Sequence, residues 1–549
     1  MGRSDVLGPS KIENGAIGIV SGRLEPRWIL IWRLIIALGW VVLLATAPLP
    51  HTDADTLMNG KIAKNMLASG DWLTLRYNGS LADVPPLTIW LMAFSLRLAG
   101  DTAAVLRLWH LLMALVLAWV TYRIARMGAG EDESLLAALL LLTTQQVLVW
   151  SLAPKQDIPV VLFLSLALYA YLGYRGGGRT RAAAAAGFWI ALAVLTKGPA
   201  ALGVFGLIVG TDMLLTRGRA HLRWSQAAAG AVVFLLVAAP WFVYGALRHG
   251  QPFVELLLLQ QSIAWRFVEG YAVPLPYWMG LMAYVPLLIA AVFPWSGLLP
   301  GAIREGWRSL RRESAPLRLC VVWMAVIFGV LSLVPGTKSI RYLLPIYPPL
   351  AILSAHFVNN VVDTPRGLKT PAAVLALIWF AALVGASIGA TRGLPEAPVY
   401  YPLIAVFTAT VVAFVFAVRS GHGRSAVAIL AVGAMVTYGL FAWTSTKEFA
   451  THWPLRSVAA EIERLYRPGD QVLNVGNKPL ASNIVNYYLN GPVMVSADEG
   501  TLRRVWRQAR VLAWLAPAVY QSVEDDLRPV TLMETPAGWR LVANTPSTW

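Results

Sequence analysis

Apolar runs near the roughly 20 residues that an α-helix needs to cross a bilayer core recur through the first 445 positions. They lie near 28–48, 103–122, 134–152, 158–174, 184–198, 200–215, 225–246, 277–299, 319–335, 342–361, 371–390, 399–418 and 425–445. The pattern predicts a polytopic α-helical membrane protein of about 13 transmembrane helices. Two of the runs, 184–198 and 200–215, are short and are separated only by Lys197-Gly198-Pro199, so they read as a tight re-entrant pair. The run from Pro86 to Ala99 has about a dozen apolar positions before Arg97 and reads as a helix lying along the interface. The first apolar run is too long, and lacks the small-residue cleavage site, for a removable signal.

After residue 445 the pattern changes. Short β-like runs (Gln471 to Val475, Pro492 to Ser496, Val511 to Leu515) alternate with helical spacing at Leu480 to Leu489 and Leu502 to Arg507. Alternation of this kind predicts a small C-terminal α/β domain. The expected organisation is a membrane unit over 1–445 and an α/β unit over 446–549.

Composition agrees: 57% of residues are hydrophobic and 13% charged, about half the charge of a soluble chain. The formal net charge is +16, which raises the question of a nucleic-acid partner. Such a partner needs a basic face on a soluble domain. With the run 86–99 at the interface and the N-terminus inside, 21 of the 45 Lys+Arg fall instead into seven short loops on one side, among them Arg123 and Arg126, Arg217 to Arg223, and Arg304 to Arg318. The positive-inside rule accounts for that distribution, and it excludes nucleic acid as the explanation. It places the N-terminus on the cytoplasmic side of the membrane and the C-terminal domain on the outer side. The single cysteine, Cys320, forms no disulfide within the chain and no thiolate metal site.

Charges on the outer side are not demanded by topology and are therefore informative. The first outer loop, about 50–102, is the richest, with Asp53, Asp55 and Asp83 among its acids. Asp53-Ala-Asp55 stands at the membrane boundary, where partial desolvation raises the basicity of a carboxylate; the plainer reading is a cap on the helix from Thr56 to Met66. Lys155-Gln-Asp157 opens the next outward-starting span, again with a cap as the plain alternative. Lys197 beside Pro199, and the trio Lys338, Arg341 and Tyr342, are candidate phosphate binders against a background of snorkelling side chains. The loop 247–276 adds Gln261, Arg266 and Glu269. No Walker-type loop is present, and outside the cytoplasm an activated donor must be carried by the membrane. The acids and cations together point to transfer of a group from a lipid phosphate to a hydroxyl.

These residues resemble the GT-C glycosyltransferases that use lipid-phosphate donors, in particular the bacterial aminoarabinose transferases and protein O-mannosyltransferase-like enzymes. The resemblance rests on Asp53-Ala-Asp55, Gly70-Asp-Trp-Leu-Thr74, Asn78-Gly79, Pro85-Pro-Leu-Thr-Ile-Trp90, Asp157, Leu195-Thr-Lys-Gly-Pro-Ala200, Arg266-Phe267, Pro294-Trp-Ser296 and Lys338 to Leu350. It implies thirteen spans, two interfacial helices in the first outer loop and a periplasmic C-terminal domain. By it Asp55 is the catalytic aspartate and Asp157 the second acid, with Lys338, Tyr342 and Arg266 near the lipid phosphate and Lys197 an addition. Where the family commonly has an acid, an arginine, a tyrosine and a lysine, this chain has Thr56, Met58, Asn59 and Val84, and Gln261 replaces a common histidine. A divalent metal is thus conceivable as a cofactor but unsupported by the residues present.

The expected activity is transfer of a pentose or hexose from a polyprenyl-phosphate donor to lipid A, core lipid or another envelope glycan, with no nucleotide and no nucleic acid involved. Asp53, Asp55 and Asp157 are the expected catalytic acids, Lys197, Arg266, Lys338, Arg341 and Tyr342 the donor binders, and Asp83, Gln261 and Glu269 the acceptor-side loop residues. A lipid-linked sugar flippase and a protein O-glycosyltransferase on the same scaffold are the alternatives.

Overall fold

The structure is a computed structural model that describes residues 26–49, 53–216, 223–256, 282–310, 315–334, 339–364, 367–391, 400–452, 454–476 and 480–544. Among these, seven helices are long and apolar enough to cross a membrane, or nine if two sharply bent pairs each count as one span. The bundle opens with α1 (Pro26–Thr46), followed by α2 (Ala54–Ser69), the hairpin strands β1 (Arg76–Tyr77) and β2 (Ser80–Leu81), and α3 (Pro86–Ala99). Helix α2 carries Asp55, Lys61 and Lys64 and α3 has only 14 residues, so neither spans and both suit an interfacial position. The hairpin turns on Asn78 and Gly79, with φ of 49° and 84°, the double left-handed conformation of a two-residue type I′ loop.

Next come α4 (Ala103–Arg126), α5 (Glu131–Leu142), α6 (Gln145–Ser151), α7 (Asp157–Gly177), α8 (Thr180–Lys197), α9 (Ala200–Leu215) and α10 (Trp224–His249). Then follow α11 (Tyr284–Ala291), α12 (Leu299–Leu310), α13 (Ala315–Leu333), α14 (Tyr347–Val361), α15 (Lys369–Thr391), α16 (Tyr401–Arg419) and α17 (Gly423–His452).

Three readings of the apolar pattern change. The run 277–299 is not one span: Tyr284–Ala291 and Trp295–Leu310 meet at 116°. The run 134–152 is not one straight helix: α5 and α6 meet at 64° around Thr143 and Thr144, whose hydroxyls bond back to the carbonyls of Leu139 and Leu140. Nor are 184–198 and 200–215 re-entrant. Lys197 at the end of α8 meets Asp157 at the start of α7, while Asp212 near the end of α9 meets Arg175 near the end of α7. Both legs therefore run the length of α7, and the Gly198-Pro199 break falls at the bundle's end rather than within it. Gly198 closes α8 at φ 87°, a conformation that only glycine adopts without strain.

Beyond α17, helix α18 (Leu455–Leu465) leads into a five-stranded sheet of order β4-β3-β5-β7-β6. Strands β3 (Gln471–Val475), β4 (Met494–Ala497) and β5 (Val511–Leu515) are parallel, joined through α19 (Leu480–Tyr488) and α20 (Glu499–Trp506). After α21 (Pro517–Leu527), β6 (Val530–Glu534) and β7 (Arg540–Ala543) add an antiparallel edge that the sequence pattern did not announce. The central strand β5 is buried throughout, as its unbroken apolar run Val511-Leu-Ala-Trp-Leu515 requires.

Helix α19 seats this domain on α2. Lys64 donates to the Tyr487 carbonyl at 3.2 Å, pairs with Asp101 at 2.5 Å and lies 3.9 Å from the centre of the Tyr487 ring. Lys61 donates to the Leu489 carbonyl, and Tyr77 donates to Asn483 at 2.7 Å. At Gly60 a β-carbon would come within 2.7 Å of the Tyr487 ring, so glycine lets the two elements touch.

Candidate functional site

The site grows from the N-terminus of α2. Asp53 is its cap: one carboxylate oxygen accepts from the Thr56 amide at 2.8 Å and the Thr56 hydroxyl at 2.7 Å. The other oxygen meets Lys155 at 2.6 Å. Asp55, in the first turn of the same helix, is bound by Lys155 at 2.9 Å and by Arg341 at 3.1 Å. One buried lysine thus bridges both acids of the Asp-Ala-Asp motif, with its side chain only 4% exposed and its ammonium 5.1 Å from the Trp150 ring centre.

Alongside, Asp157 is buried at the head of α7 and is bound by Lys197. Lys197 lies 5.6 Å, and Arg341 5.5 Å, from the centre of the Tyr342 ring, so two cations share one aromatic neighbour. The sequence placed Asp53, Asp55, Asp157, Lys197, Arg341 and Tyr342 together as candidates, and the fold brings these six into one cluster from four parts of the chain. Asp83 stands exposed in the connection from β2 to α3. Gln261, Arg266, Glu269 and Lys338 lie outside the described residues.

The electrostatics correct one expectation. Burial on its own would raise the Asp55 carboxyl, but Lys155 and Arg341 outweigh it and hold the group below the usual aspartate value. Asp55 is therefore an ionised hydrogen-bond acceptor and not a strengthened base. Arg341 is pushed upward: burial opposes its charge, and the fields of Asp157, Tyr342 and Asp55 overcome that opposition.

Two residues that build the site were not among the candidates. Lys155 escaped because a lysine beside a helix start looks like a surface charge. A cation there opposes the helix dipole, so the position itself calls for a nearby carboxylate. Arg107, buried on α4, donates to the carbonyls of Leu152 at 2.9 Å and Ala47 at 2.8 Å, and also to that of Leu49. It ties the end of α1 to the connection carrying Lys155, and no sequence pattern reports a contact to main-chain carbonyls so far away in the chain. Among the described residues, no three His, Cys, Asp or Glu side chains gather in a way that would hold a metal ion.

Residues 83–244 match the family described as dolichyl-phosphate-mannose-protein mannosyltransferase. A protein of uncharacterised function from Aquifex aeolicus is 29% identical over 352 residues, covering 62% of this chain and 65% of that one, just under two thirds of its length. An undecaprenyl phosphate-α-4-amino-4-deoxy-L-arabinose arabinosyl transferase from an Enterobacter species is 27% identical over 408 residues, covering 70% of each chain. Among solved structures, ArnT from Cupriavidus metallidurans bound to undecaprenyl phosphate superposes with a TM-score of 0.76 at 20% identity, over 95% of this chain and 99% of that one. The likeness extends through both the bundle and the C-terminal sheet. By family match and relatives the chain is similar to these transferases, and it shares the fold of ArnT.

Proposed function

We propose that the protein is a glycosyltransferase that moves a sugar from a polyprenyl-phosphate donor to a hydroxyl of lipid A, core lipid or another envelope glycan. The observation that carries this reading is Asp55: an ionised carboxylate on an interfacial helix, held between a buried lysine and a half-exposed arginine, at the bundle end where Asp157 and Lys197 also meet. Asp55 accepts a hydrogen bond from the acceptor hydroxyl and fixes its oxygen against the anomeric carbon. As the new C–O bond forms, the bond from that carbon to the phosphate oxygen breaks. The hydroxyl proton passes to Asp55, and the bonding pair leaves on the polyprenyl phosphate, whose added negative charge is met by Arg341 and Lys197. Asp157 keeps Lys197 in place, and Asp53 does the same for Lys155.

The orientation belongs to the same proposal. Arg175 and Arg318 meet Asp212, and Arg424 meets Asp132, at the end of the bundle away from Asp55. With the basic loops inside, the Asp55 end, the interfacial helices and the unit over 446–549 face the periplasm. Reconstitution in vesicles with radiolabelled polyprenyl-phosphate pentose and hexose donors tests the reading. Label should leave the donor and appear in the glycolipid fraction, and donor consumption at the protein-free level overturns it. Mass spectrometry of envelope lipids from cells lacking the protein identifies the sugar by its loss.

A further inference from the structure

Asp55 has two cationic partners of different kinds. Lys155 comes from the connection between α6 and α7, is 4% exposed, and is held by both Asp53 and Asp55 as well as resting near Trp150. It has nowhere to go. Arg341 comes from the 3-10 turn over Ile340–Ile346, is 31% exposed, and meets Asp55, itself 47% exposed, through a contact of 3.1 Å from a single guanidinium nitrogen. Beside Asp55 and a hydrogen bond with the Tyr342 phenol, the guanidinium retains donors for a further acceptor, and a phosphate takes two in parallel.

We infer that Arg341 is handed from Asp55 to the phosphate of the lipid-linked donor when the donor binds, while Lys155 stays with Asp53 and Asp55. The inference rests on the glycosyltransferase reading and adds an order to it. Before the donor arrives, two cations hold Asp55 as a weak base; afterwards one cation has gone and an anion has come close, so the carboxylate becomes a better proton acceptor only when a sugar is in place. A hydroxyl, or water, that enters an empty site meets an Asp55 too weak to activate it. The charged and titratable groups facing Asp55 are Lys155 and Arg341, with Asp53 behind Lys155, and with Asp157, Lys197 and Tyr342 behind Arg341.

The sign of the proton linkage follows. If donor binding raises the affinity of Asp55 for a proton, the complex binds more protons than the free protein at pH values between the two titrations. Binding must then take up protons in that interval and tighten as pH falls through it. The probe is a short-chain prenyl methyl phosphodiester, which keeps one negative charge throughout and brings no proton of its own. Its binding to the full-length protein in detergent is measured by calorimetry in buffers of different ionisation enthalpy, from about pH 4 to 6. The wild type should take up a fraction of a proton, and Asp55→Asn none. Arg341→Gln should bind the diester at least tenfold more weakly with less than half the uptake, and Arg341→Lys should recover part of the affinity.

Uptake that persists in Asp55→Asn, or an Arg341→Gln variant that binds as tightly as the wild type, overturns the exchange. So does wild-type binding without proton uptake. None of these readouts requires sugar transfer, so the exchange can fail while the transferase reading stands. Loss of the transferase reading would instead show as unconsumed donor in the vesicle assay.

Discussion

The two ends of the bundle hold similar numbers of ion pairs in opposite ways. Away from Asp55, Asp212 is completely buried and is met by Tyr171 at 2.8 Å, Arg175 at 2.7 Å and Arg318 at 3.4 Å, from α7 and α13. There too, the acids that open α5 are each taken: Glu131 by Arg33, Asp132 by Arg424 at 3.0 Å and Trp32 at 2.7 Å, and Glu133 by His356 at 2.9 Å. These contacts join helices distant in sequence and leave Asp212, Asp132 and Glu133 little solvent; only the outermost of those named, Glu131, stays partly exposed. At the Asp55 end the same residue types are left half open, with Asp55, Lys197 and Arg341 each between 31% and 47% exposed. A closed charge cluster fixes helix positions; an open one keeps its charges available to a third party. Charge alone does not separate the two, and exposure does.

The sharpest way to break this contrast is to neutralise one acid at each end. Asp55→Asn keeps shape and hydrogen-bonding capacity but loses the charge, and transfer from purified donor should fall by about 10²–10⁴-fold, the range of a positioned acid–base group. Its melting temperature in detergent should stay near that of the wild type, because the acid is half exposed. Full activity in this variant would remove Asp55 from the mechanism.

Asp212→Asn should do the reverse. It leaves two arginines facing each other without their carboxylate, and removing one partner from a buried pair costs about 3–5 kcal/mol. Folded yield and melting temperature should drop, while the folded fraction transfers sugar at close to the wild-type rate per molecule. An Asp212→Asn protein that melts normally would mean that the closed cluster is not structural.

A third test sits between these extremes, where the C-terminal domain meets α2. The Tyr487 hydroxyl donates to Asp101, and burial followed by the Asp101 charge pushes that phenol well above its ordinary value, so it stays a donor throughout the working pH range. Tyr487→Phe removes the hydroxyl but keeps the ring against Gly60 and under Lys64. A loss of about 1.5–3 kcal/mol, the worth of a hydrogen bond to a charged group, should appear as earlier proteolysis of the C-terminal unit. Because α2 carries Asp55, a smaller fall in transfer rate should accompany it.

How much of this was legible depended on whether the information was local. Apolar runs gave α1, α4, α7, α10 and α16 to within a few residues, since length and composition alone decide them. The bend at Thr143 and Thr144 was missed because two threonines that satisfy their own helix carbonyls leave the apolar pattern intact. Asp53, Asp55, Asp157, Lys197 and Arg341 could be gathered by asking which charges topology does not need. What could not be read was the pairing. Nothing in the sequence says that Lys155 bridges Asp53 and Asp55, or that Asp55 is made a weaker base rather than a stronger one, because both depend on which cations the fold brings within 3 Å or so of it.

Asp53 offers the smallest and most discriminating effect, since it belongs to both descriptions: a cap, which is structural, and a partner of Lys155, which belongs to the open cluster. The two roles separate by substitution. Asn caps a helix about as well as Asp, whereas Ala does not, a difference of about 1 kcal/mol. Asp53→Asn should therefore melt close to wild type, yet leave Lys155 entirely to Asp55. That stronger hold should lower the proton affinity of Asp55 further and slow transfer a few-fold, with the loss in kcat rather than in the KM for donor. Asp53→Ala should show the same loss in kcat together with a lower melting temperature. If Asp53→Asn transfers at the wild-type rate and only Asp53→Ala is impaired, Asp53 is a cap alone, and the open cluster reduces to Asp55, Lys155 and Arg341 beside the Asp157–Lys197 pair.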